Sequence, residues 1–156
     1  MIDTEAPPQV GRRLSAVLIG AIAASVISFI VYLYVMGETT PFWDSGEFIA
    51  TSWILGIPHP PGTPLYVLLG RVACLFPFGT VAERVNGLSA MAGALAVFFT
   101  VLATARLLRP RAQDVPQWSW IVPVGSIVAG FFTGFSNTFW INSIEAEVYS
   151  LSSMVM

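Results

Sequence analysis

Long uncharged apolar stretches alternate along this chain with segments that concentrate its charge. Residues Leu14 to Met36 carry no charge. At roughly 1.5 Å per helical residue they exceed the ~30 Å hydrocarbon core of a bilayer, so a first transmembrane helix is expected over 14–36. The stretch is longer than the apolar core of a signal peptide and no A-x-A-like cleavage site follows it, which favours a retained anchor. A second span is expected over 85–108, where Gly87, Ser89, Ala90, Gly93, Ala94 and Ala96 would let a neighbouring helix approach closely. A third is expected over 118–136, with Gly130 and Gly134 as a G-x-x-x-G pair and Pro123 bending its early turns. The remainder divides into an N-terminus over 1–13, a loop over 37–84, a short loop over 109–117, and a segment over 137–156 that starts a further helix.

Composition agrees with that pattern. Hydrophobic residues make up 55% of the chain and charged residues only 10%, and mean hydropathy is +0.74, far from the balance of a soluble domain. The expected class is therefore an all-α integral membrane protein, a polytopic helix bundle. Net charge is -2, which gives no basic surface for nucleic acid. The single cysteine, Cys74, has no partner for an internal disulfide and lies in an apolar run, so it reads as a buried thiol without a role.

Position matters more than net charge. All seven cations are arginines. Arg12 and Arg13 precede the first span, and Arg106, Arg109 and Arg111 follow the second, so both clusters are expected to face the cytoplasm. Trp118 and Trp120 would anchor the third span at that interface, and Trp43, Trp53 and Trp140 would lie near the opposite one. The loop over 37–84 then emerges on the non-cytoplasmic side, as does the segment after the third span. Glu38, Asp44, Glu47, Glu83, Glu145 and Glu147 collect there, against Asp3, Glu5 and Asp114 inside. Acids do little to set topology, so this asymmetry points to a site on the outer face.

In the outer loop, Asp44 and Glu47 have the spacing of a helix cap and its capping-box partner, and the helix they open would end before Pro58. Glu47 and Thr51 would share one face, with Ile49, Trp53 and Ile57 on another, as in a helix lying in the membrane interface. Two readings of the acids stay open: a pure cap, or carboxylates at the mouth of a site. His59, between Pro58 and Pro60, is either a hydrogen-bonding scaffold or a catalytic group. With one histidine in the chain, a histidine-based zinc site is not expected. The run from Thr63 to Phe78 is too short and, with Arg71, too charged to span, and reads as an interfacial or re-entrant helix. Arg71 and Arg84 either snorkel to lipid headgroups or bind a phosphate through their guanidinium forks. Glu145 and Glu147, if helical, point about 200° apart. Glu147 is preferred because it shares a face with Trp140, Ile144 and Leu151. The apolar ending at Met156 points to a longer protein.

Taken together, Phe-Trp-Asp-Ser-Gly-Glu-Phe (42–48), His-Pro-Pro-Gly-Thr-Pro-Leu-Tyr (59–66), Arg84, Asn86, Ser89 and Glu-Ala-Glu-Val-Tyr (145–149) resemble a bacterial membrane-protein family similar to the protein O-mannosyltransferases of the GT-C superfamily. The resemblance implies a polytopic glycosyltransferase in the bacterial plasma membrane that uses a polyprenyl-phosphate sugar. Its acceptor would be a hydroxyl on a protein or glycan. Asp44 takes the position of the family's first-loop acid with Glu47 beside it, and these two are the catalytic candidates. His59, Arg71, Arg84, Asn86, Glu147 and Tyr149 are candidates for donor or substrate binding. No D-x-D pair is present, so no cofactor is expected, with a divalent metal left open. A transporter or lipid flippase is the rival class, in which intramembrane charges line a path. A third possibility is a scaffold whose acids only cap helices.

Overall fold

The computed structural model describes residues 8–38, 44–60, 63–114 and 120–155, with the side chains of 8–14 and 109–114 outside the description. Arg12, Arg13, Trp43, Arg109, Arg111 and Trp118 thus lie outside the described side chains. Among the described residues seven helices follow in order: α1 Pro8–Val35, α2 Ser45–Ile54, α3 Pro64–Cys74, α4 Val81–Asp114, α5 Ile121–Gly134, α6 Asn137–Ile144 and α7 Val148–Val155. The chain is an all-α membrane protein. Two helical stretches, Ser15–Val35 and Val81–Leu108, are long and apolar enough to cross a bilayer.

α4 is the central element. It begins earlier than the apolar pattern implied because Thr80-Val-Ala-Glu83 is a capping box. The Thr80 Oγ1 accepts the Glu83 N–H at 3.1 Å, and the Glu83 carboxylate accepts the Thr80 N–H at 2.5 Å. The same hydroxyl donates to the Glu38 carbonyl, which ties the end of α1 to the start of α4. At its other end α4 continues through Pro110 to Asp114, where a loop over 109–117 was expected. Arg, Ala and Gln, all good helix formers, carry it past the last apolar residue.

The third expected span differs from a single straight helix. α5 has 14 residues, about 21 Å of rise, which falls short of the hydrocarbon core by itself. It meets α6 at a 65° bend, and only the pair taken together reaches spanning length. The bend follows Gly134 and does not occur at Pro123. That proline sits in the first turn of α5, where a missing N–H breaks no intrahelical bond.

Two packing regions divide α4. Its C-terminal half meets α1 and α5 through Ala21, Ala24, Val97 and Val101, with Val17, Ala105 and Val122 continuing the seam. Its N-terminal half carries α2, α3 and α7 around Phe48, Ile49, Tyr66, Val85, Leu88, Ala146 and Leu151. Ile49 is therefore a core residue, whereas Trp53 and Ile57 are exposed, which corrects the expected shared face. Buried Tyr32 of α1 donates to the Gly134 carbonyl at 2.8 Å and packs edge-on against Trp140, fixing the elbow between α5 and α6.

The expected small-residue packing is present in particular contacts. A methyl added at Gly130 would meet Val101 and Val97 of α4, and one at Gly93 would meet Ser143 and Tyr32, whereas one at Gly87 would meet nothing within 4 Å. Gly130→Ala is expected to destabilise the chain by about 1–3 kcal/mol through overpacking. Gly87→Ala should stabilise it by about 0.5–1 kcal/mol through helix propensity. Chemical denaturation of the two variants in matched detergent checks the opposite signs.

Candidate functional site

α2 is too short to be stable by itself and depends on burying Phe48 and Ile49 against α4. It ends at Leu55, which adopts the left-handed conformation at φ 54°, ψ 44°. The N–H of Gly56 then bonds back to the Thr51 carbonyl at 2.9 Å, closing a Schellman-type cap. Leucine is disfavoured there by about 1–2 kcal/mol. Its effect is to turn the chain back along α2, so that the Pro58-His59-Pro60 segment returns to the helix's first turn.

That return builds the site. Asp44 precedes α2 but makes no side-chain capping bond, so the expected capping box does not form. Glu47 instead receives His59 twice. Its Oε1 accepts the His59 backbone N–H at 2.7 Å, and its Oε2 lies 2.6 Å from the His59 Nδ1. A carboxylate can only accept, so Nδ1 carries the proton. The opposite ring nitrogen, Nε2, then faces Asp44, 3.9 Å from Oδ2. The imidazole centroid lies 6.0 Å from that of Phe48, tilted to it, and Phe48 in turn packs on Tyr66.

Electrostatics reinforce the clamp. The hydrogen bond from the His59 ring, and then that from its backbone N–H, push the Glu47 carboxyl below its ordinary value of 4.5. The Glu47 hydrogen bond raises His59 above 6.5, with the negative charges of Asp44 and Glu147 adding to it. The signs follow from linkage. The raised histidine contributes stability below 6.5, lost as pH rises through its folded value; the lowered carboxyl contributes above 4.5, lost as pH falls through its folded value. The clamp is thus strongest between those limits.

Glu147 joins from the other side of the molecule. Glu145 to Glu147 form a non-helical link between α6 and α7, with Glu145 extended at φ -125°, ψ 159°. The helical-face argument that separated the two acids therefore does not apply. Both are half-buried. Burial raises the Glu147 carboxyl, with repulsion from Asp44 and Glu145 adding to it. Burial also raises Glu145. Glu145 is thus a member of the cluster that the sequence argument set aside. Ser89 holds this link in place: its hydroxyl accepts the Glu147 N–H at 3.2 Å and is paired with the Tyr66 hydroxyl at 2.9 Å.

Four candidates stand apart from the cluster. Arg84 donates to the carbonyls of Phe78, Cys74 and Gly79 at 2.6, 2.8 and 2.8 Å. It clamps the α3–α4 turn, which Gly79 enters at φ +62°. Arg71 donates to the Trp53 carbonyl at 2.6 Å and lies over the Trp53 ring, joining α3 to the end of α2. Asn86 is fully buried and donates to the Gly37 carbonyl at 3.0 Å. Tyr149 is largely exposed on α7, and among the described residues no side-chain contact joins it to the acids.

Asp44, Glu47 and His59 could together approach a cation, since one ligand atom from each lies within 4.8 Å of the others. While Glu47 holds Nδ1, only Nε2 and Asp44 are open for direct coordination, with Glu47 as the outer partner that orients the ring.

Comparison with known proteins gives the family of the chain. The model of the "Protein O-mannosyl-transferase TMEM260 N-terminal domain" matches residues 44–156, from Asp44 to the end of the chain. The chain belongs to this family. It is 37% identical over 145 residues to the mouse protein O-mannosyl-transferase TMEM260, covering 92% of this chain and 19% of that protein. It is 29% identical over 159 residues to the Dictyostelium discoideum protein O-mannosyl-transferase tmem260, covering 97% of this chain and 18% of that one. The chain therefore spans about a fifth of the length of these curated relatives. Both are eukaryotic, and neither supports the bacterial source implied by the motif resemblance. No solved structure matches it.

Arg84→Lys tests the structural role of that arginine in this TMEM260-family fold. A lysine cannot reach three carbonyls with a planar fork, so thermal unfolding in detergent should show a loss on the order of 1–3 kcal/mol. Unchanged stability would return Arg84 to the set of free cations.

Proposed function

We propose that this chain is the N-terminal, acid-bearing part of a GT-C-type membrane glycosyltransferase. It moves a sugar, mannose by the relatives' names, from a polyprenyl-phosphate donor to a hydroxyl of a protein or glycan. The reaction lies on the non-cytoplasmic face, with the N-terminus in the cytoplasm. A bacterial plasma membrane is the setting that the motif resemblance implies.

The observation that carries this reading is the state of Asp44. It is free of the capping bond that its position invites, about half exposed, and turned toward an ordered His59. Attack of an alcohol on an anomeric carbon needs a group to take the hydroxyl proton. Asp44 takes that proton as the new carbon–oxygen bond forms. The bond from the anomeric carbon to the phosphate oxygen breaks, and its electron pair leaves with the lipid phosphate. Glu47, engaged by His59, serves as the buttress of this arrangement and not as its reacting group.

An apolar groove of about 400 Å³ lies beside the acids, between α3 and α7, lined by Leu65, Tyr66, Val148, Leu151 and Val155. An isoprenoid tail suits it, with its phosphate directed toward the polar cluster. The described arginines do not project there, since Arg71 and Arg84 are bound to backbone carbonyls, so the cation that meets the phosphate is sought in the remainder of a full-length protein.

In the full-length protein, Asp44→Asn should lower transfer from a radiolabelled polyprenyl-phosphate mannose on the order of a hundredfold or more, with expression and thermal stability nearly unchanged. Stability is preserved because the Asp44 side chain makes no capping bond that the substitution could break. Wild-type transfer by this variant would remove Asp44 from the reaction.

A further inference from the structure

The 3.9 Å between Nε2 of His59 and Oδ2 of Asp44 is too long for a direct hydrogen bond, which spans about 2.7–3.2 Å. It is the right width for one shared oxygen. An atom about 2.8 Å from each would be seen at an angle of roughly 90°, within the range that an oxygen with two hydrogen-bond partners adopts.

We infer that His59 Nε2 and Asp44 Oδ2 form a two-point seat for the acceptor's alcohol hydroxyl, and that Glu47 is the positioning residue that orients the imidazole for it. The inference rests on the transferase reading above.

The two walls of the seat have opposite hydrogen-bonding sense. Glu47 accepts from Nδ1, so the ring turns Nε2 outward. A carboxylate stands at each ring nitrogen, Glu47 at Nδ1 and Asp44 at Nε2, an arrangement that favours the doubly protonated ring. In that form Nε2–H donates, whereas Asp44 only accepts. A hydroxyl can accept one hydrogen bond and donate another at the same time, which matches both walls. An ammonium group finds no acceptor at Nε2–H, and a carboxylate is repelled by Asp44. As the hydroxyl proton passes to Asp44, one lone pair of the oxygen bonds to the anomeric carbon while the other stays on Nε2–H, which holds the oxygen in line for attack; the negative charge leaves with the lipid phosphate.

The seat also accounts for the double contact between Glu47 and His59. A single bond to Nδ1 would set the tautomer but leave the ring free to swing about its attachment. The second bond, to the backbone N–H of the same residue, fixes the base of the side chain within a turn already stiffened by Pro58 and Pro60. Such rigidity positions a substrate atom more than it contributes to the fold at a half-exposed surface.

The test uses full-length protein in nanodiscs, with acceptor and donor concentrations varied separately. His59→Asn places an amide N–H near the position of Nδ1, so it keeps the Glu47 contact while removing Nε2. Its KM for a hydroxyl acceptor peptide should rise about tenfold or more, with donor KM and thermal midpoint unchanged. His59→Gln, whose amide reaches the Nε2 position, should recover part of the loss. Glu47→Gln, which has one acceptor oxygen in place of two, should raise acceptor KM in the same direction and keeps the test open if His59→Asn does not fold.

Wild-type acceptor KM in either folded variant would overturn the seat. Loss of wild-type transfer on chelation, restored by Mn2+ in wild type but not in His59→Asn, would also overturn it by making Nε2 a metal ligand. A wild-type protein that transfers no mannose to any hydroxyl would instead overturn the transferase reading, and the seat with it.

Discussion

The site depends on one carboxylate accepting two hydrogen bonds from one residue. Glu47 sits on the first turn of α2 and His59 lies twelve positions later, yet both His59 N–H groups converge on it. Without that clamp the His59 ring is free to turn, and Asp44 has no fixed partner. With it, the imidazole becomes a fixed wall opposite Asp44. Asp44 and Glu147 then add negative charge that raises the ring's pKa further.

The clamp works because its supports are rigid. Phe48 packs against the ring, Tyr66 packs on Phe48, and Tyr66 in turn pairs with Ser89, which holds the backbone of Glu147. A path of direct contacts thus runs from His59 through α3 and α4 to the α6–α7 link. Arg84 stabilises this arrangement from outside by binding three carbonyls of the turn between α3 and α4. Close helix approach at Gly93 and Gly130 lets α4 pack on α1 and α5 while it carries the elements of the site. Function and fold share the same central helix.

Much of the membrane architecture was legible because apolar length and small-residue spacing are local signals. The set Asp44, Glu47 and His59 was legible as motifs, but its wiring was not. The reversal that joins Glu47 to His59 passes through Leu55 in a left-handed conformation, a place where glycine or asparagine would have announced the turn. The capping box was sought at Asp44 and Glu47, whereas Thr80 and Glu83 form it with the same spacing. Helical periodicity misassigned Glu145 because no proline or glycine marks the break at 145–147. The arginines looked free since their carbonyl partners are defined only once the α3–α4 turn has closed.

The most direct measurement exploits the fact that His59 is the only histidine in this sequence. Nitrogen-15 NMR of the histidine-labelled chain in a membrane mimetic reads the ring's tautomer and titration from one set of signals. The account predicts a midpoint above 6.5 with Nδ1 protonated throughout, moving down toward 6.5 in Glu47→Gln. A midpoint at or below 6.5 that does not respond to Glu47→Gln would contradict the clamp on which the site is built.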